Sequence, residues 1–345
     1  MIIVADKTIP FLEGVFEPYA EVVYRDGIEI GPDDIRDADA MIIRTRTKCN
    51  ASLLEGSSVK MIATASIGSD HVDRAWCDAH GIHYNSAFGC NANGVMNYVF
   101  SALYGTAARK SMSLEGKKFG IIGVGNTGSR VDSMARYLGF DTLLNDPPRA
   151  NVEGMENFCS LEKLLSESDI VSLHVPLADD TRHMASDAFF EAMKPGAIFI
   201  NTSRGLVVDE EALLRAIPKL GAVIIDTWEK EPYVNLELVD KVDIATPHIA
   251  GYTYQGKQNG TALAVRAVAR FFGISELYDF FPETPIAELE AIKINLKGKS
   301  QGEIASVLQY NYPVFTDDFM LRINPSGFEN LRLNYNYRRE YYVEY

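Results

Sequence analysis

The chain has 345 residues, 47% of them hydrophobic, and a formal net charge of −14. That length exceeds one ordinary core and points to two or three globular domains. The acidic balance argues against nucleic acid or an anionic membrane as a partner, because phosphate groups are bound by basic surface.

The opening MIIVADKTIP lacks a basic stretch followed by a long apolar one, and no run is long enough to span a bilayer, so a cytoplasmic location is expected. Cys49, Cys77, Cys90 and Cys159 are scattered without a C-x-x-C pair, which fits reduced thiols better than disulfides or zinc. Asp78, His80 and His83 read as a polar turn before a strand, and no metal is expected.

In chain order, residues 1 to about 88 alternate short apolar runs with helical patterns, the runs being Met1 to Ala5, Met41 to Ile43, Lys60 to Ala65 and Ile82 to Tyr84. This pattern predicts an α/β domain with a mainly parallel sheet. Two run ends carry polar residues where such sheets place ligand loops: Arg44-Thr45-Arg46-Thr47-Lys48, and Ser66-Ile67-Gly68-Ser69-Asp70-His71. The first places three cations in five residues of an acidic protein, which suits an anionic ligand or a solvated basic turn. Phe88 to Gly94 is rich in breakers and marks the crossing into the next domain, through a predicted helix over Val95 to Arg109.

Next comes FGIIGVGNTG, Phe119 to Gly128. An apolar run feeding Gly123-Val124-Gly125-Asn126-Thr127-Gly128 and then a helical pattern reads as strand, tight turn and helix. The first glycine permits the turn, the second lets backbone approach a pyrophosphate, and the third lets helix pack on strand. The predicted strand Asp141 to Asn145 ends at Asp146, 18 residues beyond Gly128, where a dinucleotide fold places the carboxylate that binds ribose hydroxyls. Asp146 favours NAD over NADP, with Arg149 the one neighbour able to accept a 2′-phosphate.

Further near-continuous apolar runs follow at Ile170 to Val175, Ala197 to Thr202, Val223 to Thr227 and Ile244 to Thr246, as expected of parallel strands buried on both faces. Their C-terminal ends carry His174-Val175-Pro176, Thr202-Ser203-Arg204-Gly205, Asp226 and His248. Arg204 suits a carboxylate, which its planar fork can pair bidentately. His248 has an intrinsic pKa suited to proton exchange near neutrality, and Glu231 can orient its ring. Each of the three also has an ordinary structural reading when taken alone. Nucleophile-elbow, P-loop and zinc spacings are missing, so hydride transfer fits better than hydrolysis or phosphoryl transfer.

A predicted helix over Tyr254 to Phe272 returns the chain to the first domain. The stretch from Pro282 contains a predicted helix Gln301 to Leu308 and an aromatic-rich end. There Phe328, Leu331 and Tyr335 follow helical spacing, whereas Leu331, Leu333, Tyr335 and Tyr337 follow strand spacing, and periodicity leaves both readings open. About 60 residues make a marginal core, so this tail is expected to pack against another surface, most simply a second copy of the chain.

Taken together, Gly123 to Gly128, Asp146, His174 to Leu177, Lys194 to Gly196, Asn201 to Gly205, Asp226 to Pro232 and His248 to Gly251 resemble the D-2-hydroxyacid dehydrogenase family over nearly the whole chain. The resemblance implies two Rossmann-like or flavodoxin-like parallel-sheet domains: a substrate domain over 1–90 and 253–281, and an NAD-binding domain over 91–252. It also implies a small C-terminal α+β dimerisation domain over 282–345 and a homodimer. Arg204, Glu231 and His248 would be the catalytic set. Gly123, Gly125, Asn126, Thr127, Gly128, Asp146, Val175, Thr202, Ser203, Asp226 and Gly251 would contact NAD.

The Arg44 to Lys48 loop and the tail from Asp317-Asp318 through Arg338-Arg339-Glu340 resemble those of family members that act on a small phosphorylated 2-hydroxy acid, which implies such a substrate here. Thr45, Ser66 and Tyr252 would contact that substrate. Arg44, Arg46 or Lys48 would neutralise its phosphate, helped by Arg338 or Arg339 of a second copy. Val175 stands where threonine is frequent, so only its backbone could bond the cofactor, and Asn97 stands where glutamate is frequent. An enzyme for a three-carbon phosphorylated acid, and an NAD-sensing interaction module that has kept the fold, remain the alternatives.

Overall fold

A computed structural model describes residues 1–343, in two units. Six helices matter below: α1 (Ala92–Arg109), α2 (Asn126–Tyr137), α3 (Tyr254–Phe272), α4 (Gln301–Asn311), α5 (Val314–Ile323) and α6 (Phe328–Leu333).

The first unit comprises Met1–Asn91 and Thr253–Glu290. Its strands are β1 (Ile2–Asp6), β2 (Glu21–Arg25), β3 (Ala40–Ile43), β4 (Met61–Thr64) and β5 (His83–Ser86), all parallel in the order β2-β1-β3-β4-β5. Strands β3 and β4 are buried throughout because AMII and MIAT present apolar side chains to both faces. On α3, Ala264, Val265, Val268 and Ala269 recur at helical spacing and pack on Ile3, Ala5, Ala40 and Ile42. Thr253 starts this helix by accepting the Gly256 N–H at 2.9 Å, and Gly273 ends it at φ 76°.

The second unit comprises Ala92–Tyr252 and the described residues from Ala291 onward. Its main sheet is β6 (Lys118–Ile122), β7 (Asp141–Asn145), β8 (Ile170–Leu173), β9 (Ile198–Asn201), β10 (Ala222–Ile225) and β11 (Ile244–Ala245), parallel in the order β11-β10-β9-β8-β6-β7. Chain order reverses between β6 and β8. In open parallel sheets that switch point leaves a crevice outside the strands' carboxyl ends, and β6 runs straight into the glycine turn.

The stretch read as a C-terminal dimerisation domain is divided between the units at Glu290. From Ala291 it adds β12 (Ile292–Ile294), paired in parallel with β13 (Tyr341–Val343), together with α4, α5 and α6. Its Ile294, Leu308, Tyr312 and Tyr341 share one core with Tyr98 and Phe100 of α1 and Phe119 of β6. Asn97, on the buried face of α1, holds β13 by a pair of bonds: its Nδ2 donates to Tyr341 O and its Oδ1 accepts the Tyr341 N–H, both at 3.0 Å.

Two differences from the sequence reading have physical causes. Strand β2 lies at the sheet edge, and its EVVYR has exposed charged ends, so the apolar run is too short to notice. The two periodicities of the tail resolve as helix through Leu333, because Phe328 is fully buried with Leu331 packed beside it, and β13 begins only at Tyr341. Helix α5 was not expected from sequence. Among the described residues, no helix is long and apolar enough to cross a membrane.

Candidate active site

The glycine turn has the conformation its sequence requires. Gly123 adopts φ 84°, and a Cβ there would lie 2.8 Å from the His174 carbonyl; a Cβ on Gly128 would lie 2.0 Å from Gly123 O. Gly125 meets nothing within 4 Å, leaving an open cradle just before α2. As that helix has no side-chain cap, the N–H groups of Asn126, Thr127 and Gly128 face a free helix start suited to a pyrophosphate.

Asp146 follows β7. One carboxylate oxygen accepts the Val124 N–H at 2.7 Å and the other the Arg149 N–H at 3.0 Å, which ties it to the glycine turn. Arg149 donates to Glu153 through Nε and Nη2 at 2.6 and 2.7 Å, and to Val124 O through Nη1 at 2.6 Å. Its fork is therefore committed, and the residues fit NAD rather than a 2′-phosphorylated cofactor.

Beside β6, His174 contacts Ser172 Oγ at 2.9 Å and Thr202 Oγ1 at 3.5 Å. Desolvation of its ring pushes its pKa down to about 3, so it is neutral here. Ser203 spends both its N–H and its hydroxyl on Asn201 Oδ1, at 3.0 and 2.7 Å. Arg204 follows, with Asn201 Nδ2 donating to its carbonyl at 3.1 Å and its own Nη1 donating to Ser203 O at 2.8 Å.

The ends of β10 and β11 bring Glu231 and His248 together. Glu231 Oε2 lies 2.8 Å from His248 Nδ1, and Oε1 accepts the Trp228 N–H at 2.9 Å. Trp228 is fixed in turn by its indole N–H, which donates to Thr246 O at 2.9 Å. Burial acts to raise the Glu231 pKa, yet His248, Arg332 and the Trp228 N–H outweigh it and hold the carboxyl below its ordinary range. An ionised Glu231 selects the tautomer with hydrogen on Nδ1, leaving Nε2 of a neutral ring to accept a proton.

His248 itself adopts φ 56°, in the left-handed region that a residue with a Cβ rarely enters. Asp226 holds it there. Its carbonyl accepts the His248 N–H at 2.7 Å, while its buried carboxylate accepts the N–H groups of Ile249 and Ala250 at 2.8 and 2.9 Å and the Thr246 hydroxyl at 2.7 Å. Sequence reasoning assigned Asp226 to the cofactor alone; this bracing of the loop has no sequence signal.

In the first unit, the basic loop is exposed at Thr45 and Lys48. Arg44 donates to Thr8 Oγ1 at 2.9 Å, and Arg46 pairs with Asp26 at 3.3 Å, so both guanidinium groups already have partners. Ser66 Oγ is buried and has no hydrogen-bond partner among the described residues, a hydroxyl fitted to accept or donate to a ligand.

The tail corrects one expectation. Arg338, one of the two tail arginines expected to reach a substrate phosphate, is half-buried with its fork committed inside its own chain. Its Nη1 donates to Ile249 O at 3.0 Å and Tyr252 O at 3.2 Å, its Nη2 to Gly94 O at 3.2 Å and to Ala250 O, and its guanidinium lies 4.0 Å from the Tyr312 ring centre. It clamps the backbone that follows His248. Sequence reasoning missed Arg332, whose Nη2 meets Tyr252 Oη at 3.3 Å.

Residues 96–250 match the NAD-binding domain of D-isomer-specific 2-hydroxyacid dehydrogenases. The chain is 43% identical over 347 aligned residues to a Bacteroides fragilis protein named erythronate-4-phosphate dehydrogenase, covering 99% of this chain and 97% of that one. A protein of the same name from Yersinia enterocolitica is 41% identical, over 99% of this chain and 93% of that one. Among solved structures, NAD+-bound 3-phosphoglycerate dehydrogenase of Entamoeba histolytica is 27% identical with a TM-score of 0.68, covering 81% of this chain and 97% of that one. By this likeness the chain belongs to the D-isomer-specific 2-hydroxyacid dehydrogenase family.

Proposed function

We propose that the protein oxidises 4-phospho-D-erythronate to 2-oxo-3-hydroxy-4-phosphobutanoate with NAD, as a step of pyridoxal 5′-phosphate (vitamin B6) synthesis in the cytoplasm. The observation that carries the activity is the Glu231–His248 pair at 2.8 Å on the strand ends of a nucleotide-binding sheet. The substrate rests on the names of relatives 41–43% identical over nearly the whole chain.

Arg204 holds the substrate carboxylate and the C2 oxygen, polarising that oxygen as negative charge develops on it. His248 Nε2 takes the hydroxyl proton, and Glu231 stabilises the imidazolium that results. NAD, when bound, supplies the acceptor for the hydride leaving C2. Asp146 orients the ribose, and the open start of α2 receives the pyrophosphate. Thr45, Ser66 and Tyr252 contact the substrate, and Arg44 and Arg46 supply positive charge for its phosphate.

The protein works as a homodimer. Tyr310, Phe319, Met320 and Ile323 of α4 and α5 are exposed apolar side chains on the tail, at 89%, 59%, 42% and 58% of their free surface. Exposed apolar side chains in such number on neighbouring helices suit coverage by another chain.

The test is an assay of purified protein with 4-phosphoerythronate and with 3-phosphoglycerate, each with and without an added 2-oxo acid. Oxidation of the four-carbon acid is expected. Preference for the three-carbon acid overturns the substrate, and inertness toward every 2-hydroxy acid with intact NAD binding favours an interaction module.

A further inference from the structure

Arg332 is a charged residue beside the candidate site to which the proposed reaction gives no role. It sits on α6 with only 16% of its side chain exposed. Nη1 pairs with Glu329 at 3.2 Å, Nη2 meets the Tyr252 hydroxyl at 3.3 Å, and the guanidinium lies 5.8 Å from the Tyr252 ring centre and 5.7 Å from that of Phe328. Nε is buried and has no partner among the described residues.

Filling space beside Phe328 and Tyr252 needs only an apolar side chain. A buried guanidinium costs solvation energy and leaves a donor unspent, so packing alone does not account for it. Its positive charge stabilises the Glu231 carboxylate, and Glu231 stabilises it in return, where partial burial leaves the two little screened.

We infer that Arg332 is a positioning residue for proton transfer: it fixes Tyr252 through its hydroxyl and keeps a permanent positive charge beside the Glu231–His248 pair. The inference rests on the role proposed above for that pair. It makes the tail a part of the proton-transfer site within its own chain. Lysine would keep the charge, but as a compact ammonium it cannot lie flat beside two rings and reach the hydroxyl together.

The test compares Arg332→Gln, Arg332→Lys and Glu329→Gln. In Arg332→Gln, kcat should fall about tenfold or more, NADH binding should hold, and the acid limb of the kcat/KM profile should move to higher pH by about half a unit or more, because losing a cation eases proton uptake by the pair. Arg332→Lys should return the acid limb while kcat stays low, and Glu329→Gln, which removes only the half-exposed partner, should resemble wild type. An unmoved acid limb in Arg332→Gln, or one that lysine does not restore, overturns the role.

A second readout needs no substrate. Carbon-13 NMR of δ-labelled glutamates, with Glu231 identified by the signal lost in Glu231→Gln, should show its titration midpoint rising in Arg332→Gln. If wild-type protein oxidises no 2-hydroxy acid, the proposed function fails and this measurement still decides on Arg332. An unchanged Glu231 midpoint removes the inference while leaving the proposed function standing. Should Arg332→Gln fail to fold, Arg332→Lys carries the test, and either a moved acid limb or an undiminished kcat in that variant overturns the role.

Discussion

His248 Nδ1 lies 2.8 Å from Glu231 Oε2, and the histidine is held at φ 56° to meet it. Backbone in that region costs on the order of 1–3 kcal/mol and persists only where its surroundings over-determine it. Here Asp226 and Arg338 supply the constraint, bonding the loop from both ends. His248→Gln should therefore lower kcat by about 10²–10⁴-fold, the usual range for a general base, with NADH binding unchanged. Glu231→Gln keeps the side-chain shape but loses the charge that stabilises the imidazolium, so its kcat should fall by a smaller factor. Steady-state kinetics beside NADH fluorescence titrations check both, and a His248→Gln enzyme within threefold of wild type excludes the assigned base.

Cofactor choice follows from Asp146 and the commitment of Arg149 to Glu153. Asp146 also accepts the Arg149 N–H at the start of its helix, so alanine would remove a cap worth about 1 kcal/mol along with the charge. Asp146→Ser keeps a cap and removes the charge. Its kcat/KM for NAD should drop about tenfold or more, from loss of a charged hydrogen bond worth about 1.5–3 kcal/mol. Adding Glu153→Ala frees the Arg149 fork and should raise kcat/KM for NADP above that of either single variant. A double variant that still ignores NADP would show that the pocket excludes the 2′-phosphate by shape.

The nucleotide sheet was legible because its strands are buried on both faces and read as continuous apolar runs, and because the glycine spacing states its own geometry. Strand β2 was not, since an edge strand of five residues with charged ends carries neither signal. Glu231 and His248 could be named as candidates, yet only the fold shows them touching across 17 residues of chain. The tail was least legible. Its buried partners Asn93 and Asn97 lie some 240 residues earlier, and nothing in local periodicity announces that Tyr341 will bond to Asn97 or that Arg338 will spend its fork on carbonyls. An arginine pair near a chain end reads equally as a phosphate site and as a clamp on backbone, and for Arg338 its bonds to carbonyls decide for the clamp.

That clamp should be visible as stability. Asp317 accepts the Tyr312 and Tyr335 hydroxyls at 2.7 and 2.8 Å, and Arg338 stacks on Tyr312, so the tail's charges and rings form one largely desolvated group. Burial pushes the Asp317 pKa up, partly offset by those hydroxyls and by Arg338. Arg338→Met then orphans several carbonyls and removes a cation that favours the ionised carboxylate. The cost should be about 3–5 kcal/mol, the range for breaking one partner from a buried charged group. Urea unfolding with an unchanged slope would register it as a lower midpoint. A loss under 1 kcal/mol would mean that the carbonyls find other donors and that the clamp is dispensable.

His174 gives a pH dependence with a definite sign. Its ordinary pKa is about 6.5, and burial beside Ser172 depresses it to about 3 in the folded chain. Between those values the unfolded chain binds a proton that the folded one refuses, so stability falls as pH is lowered through this window, by up to about 1.4 kcal/mol per unit. Above about 6.5 both states are neutral and the term vanishes. Carboxylates held low in the fold, such as Asp169 and Asp39, add losses of the same sign at more acid pH. His174→Gln keeps an amide able to bond Ser172 and removes the titration. Its stability, measured by urea unfolding at pH 5, 6 and 7, should decline less steeply than wild type. Parallel slopes for the two proteins would mean that His174 takes up its proton in the folded state as readily as in the unfolded one.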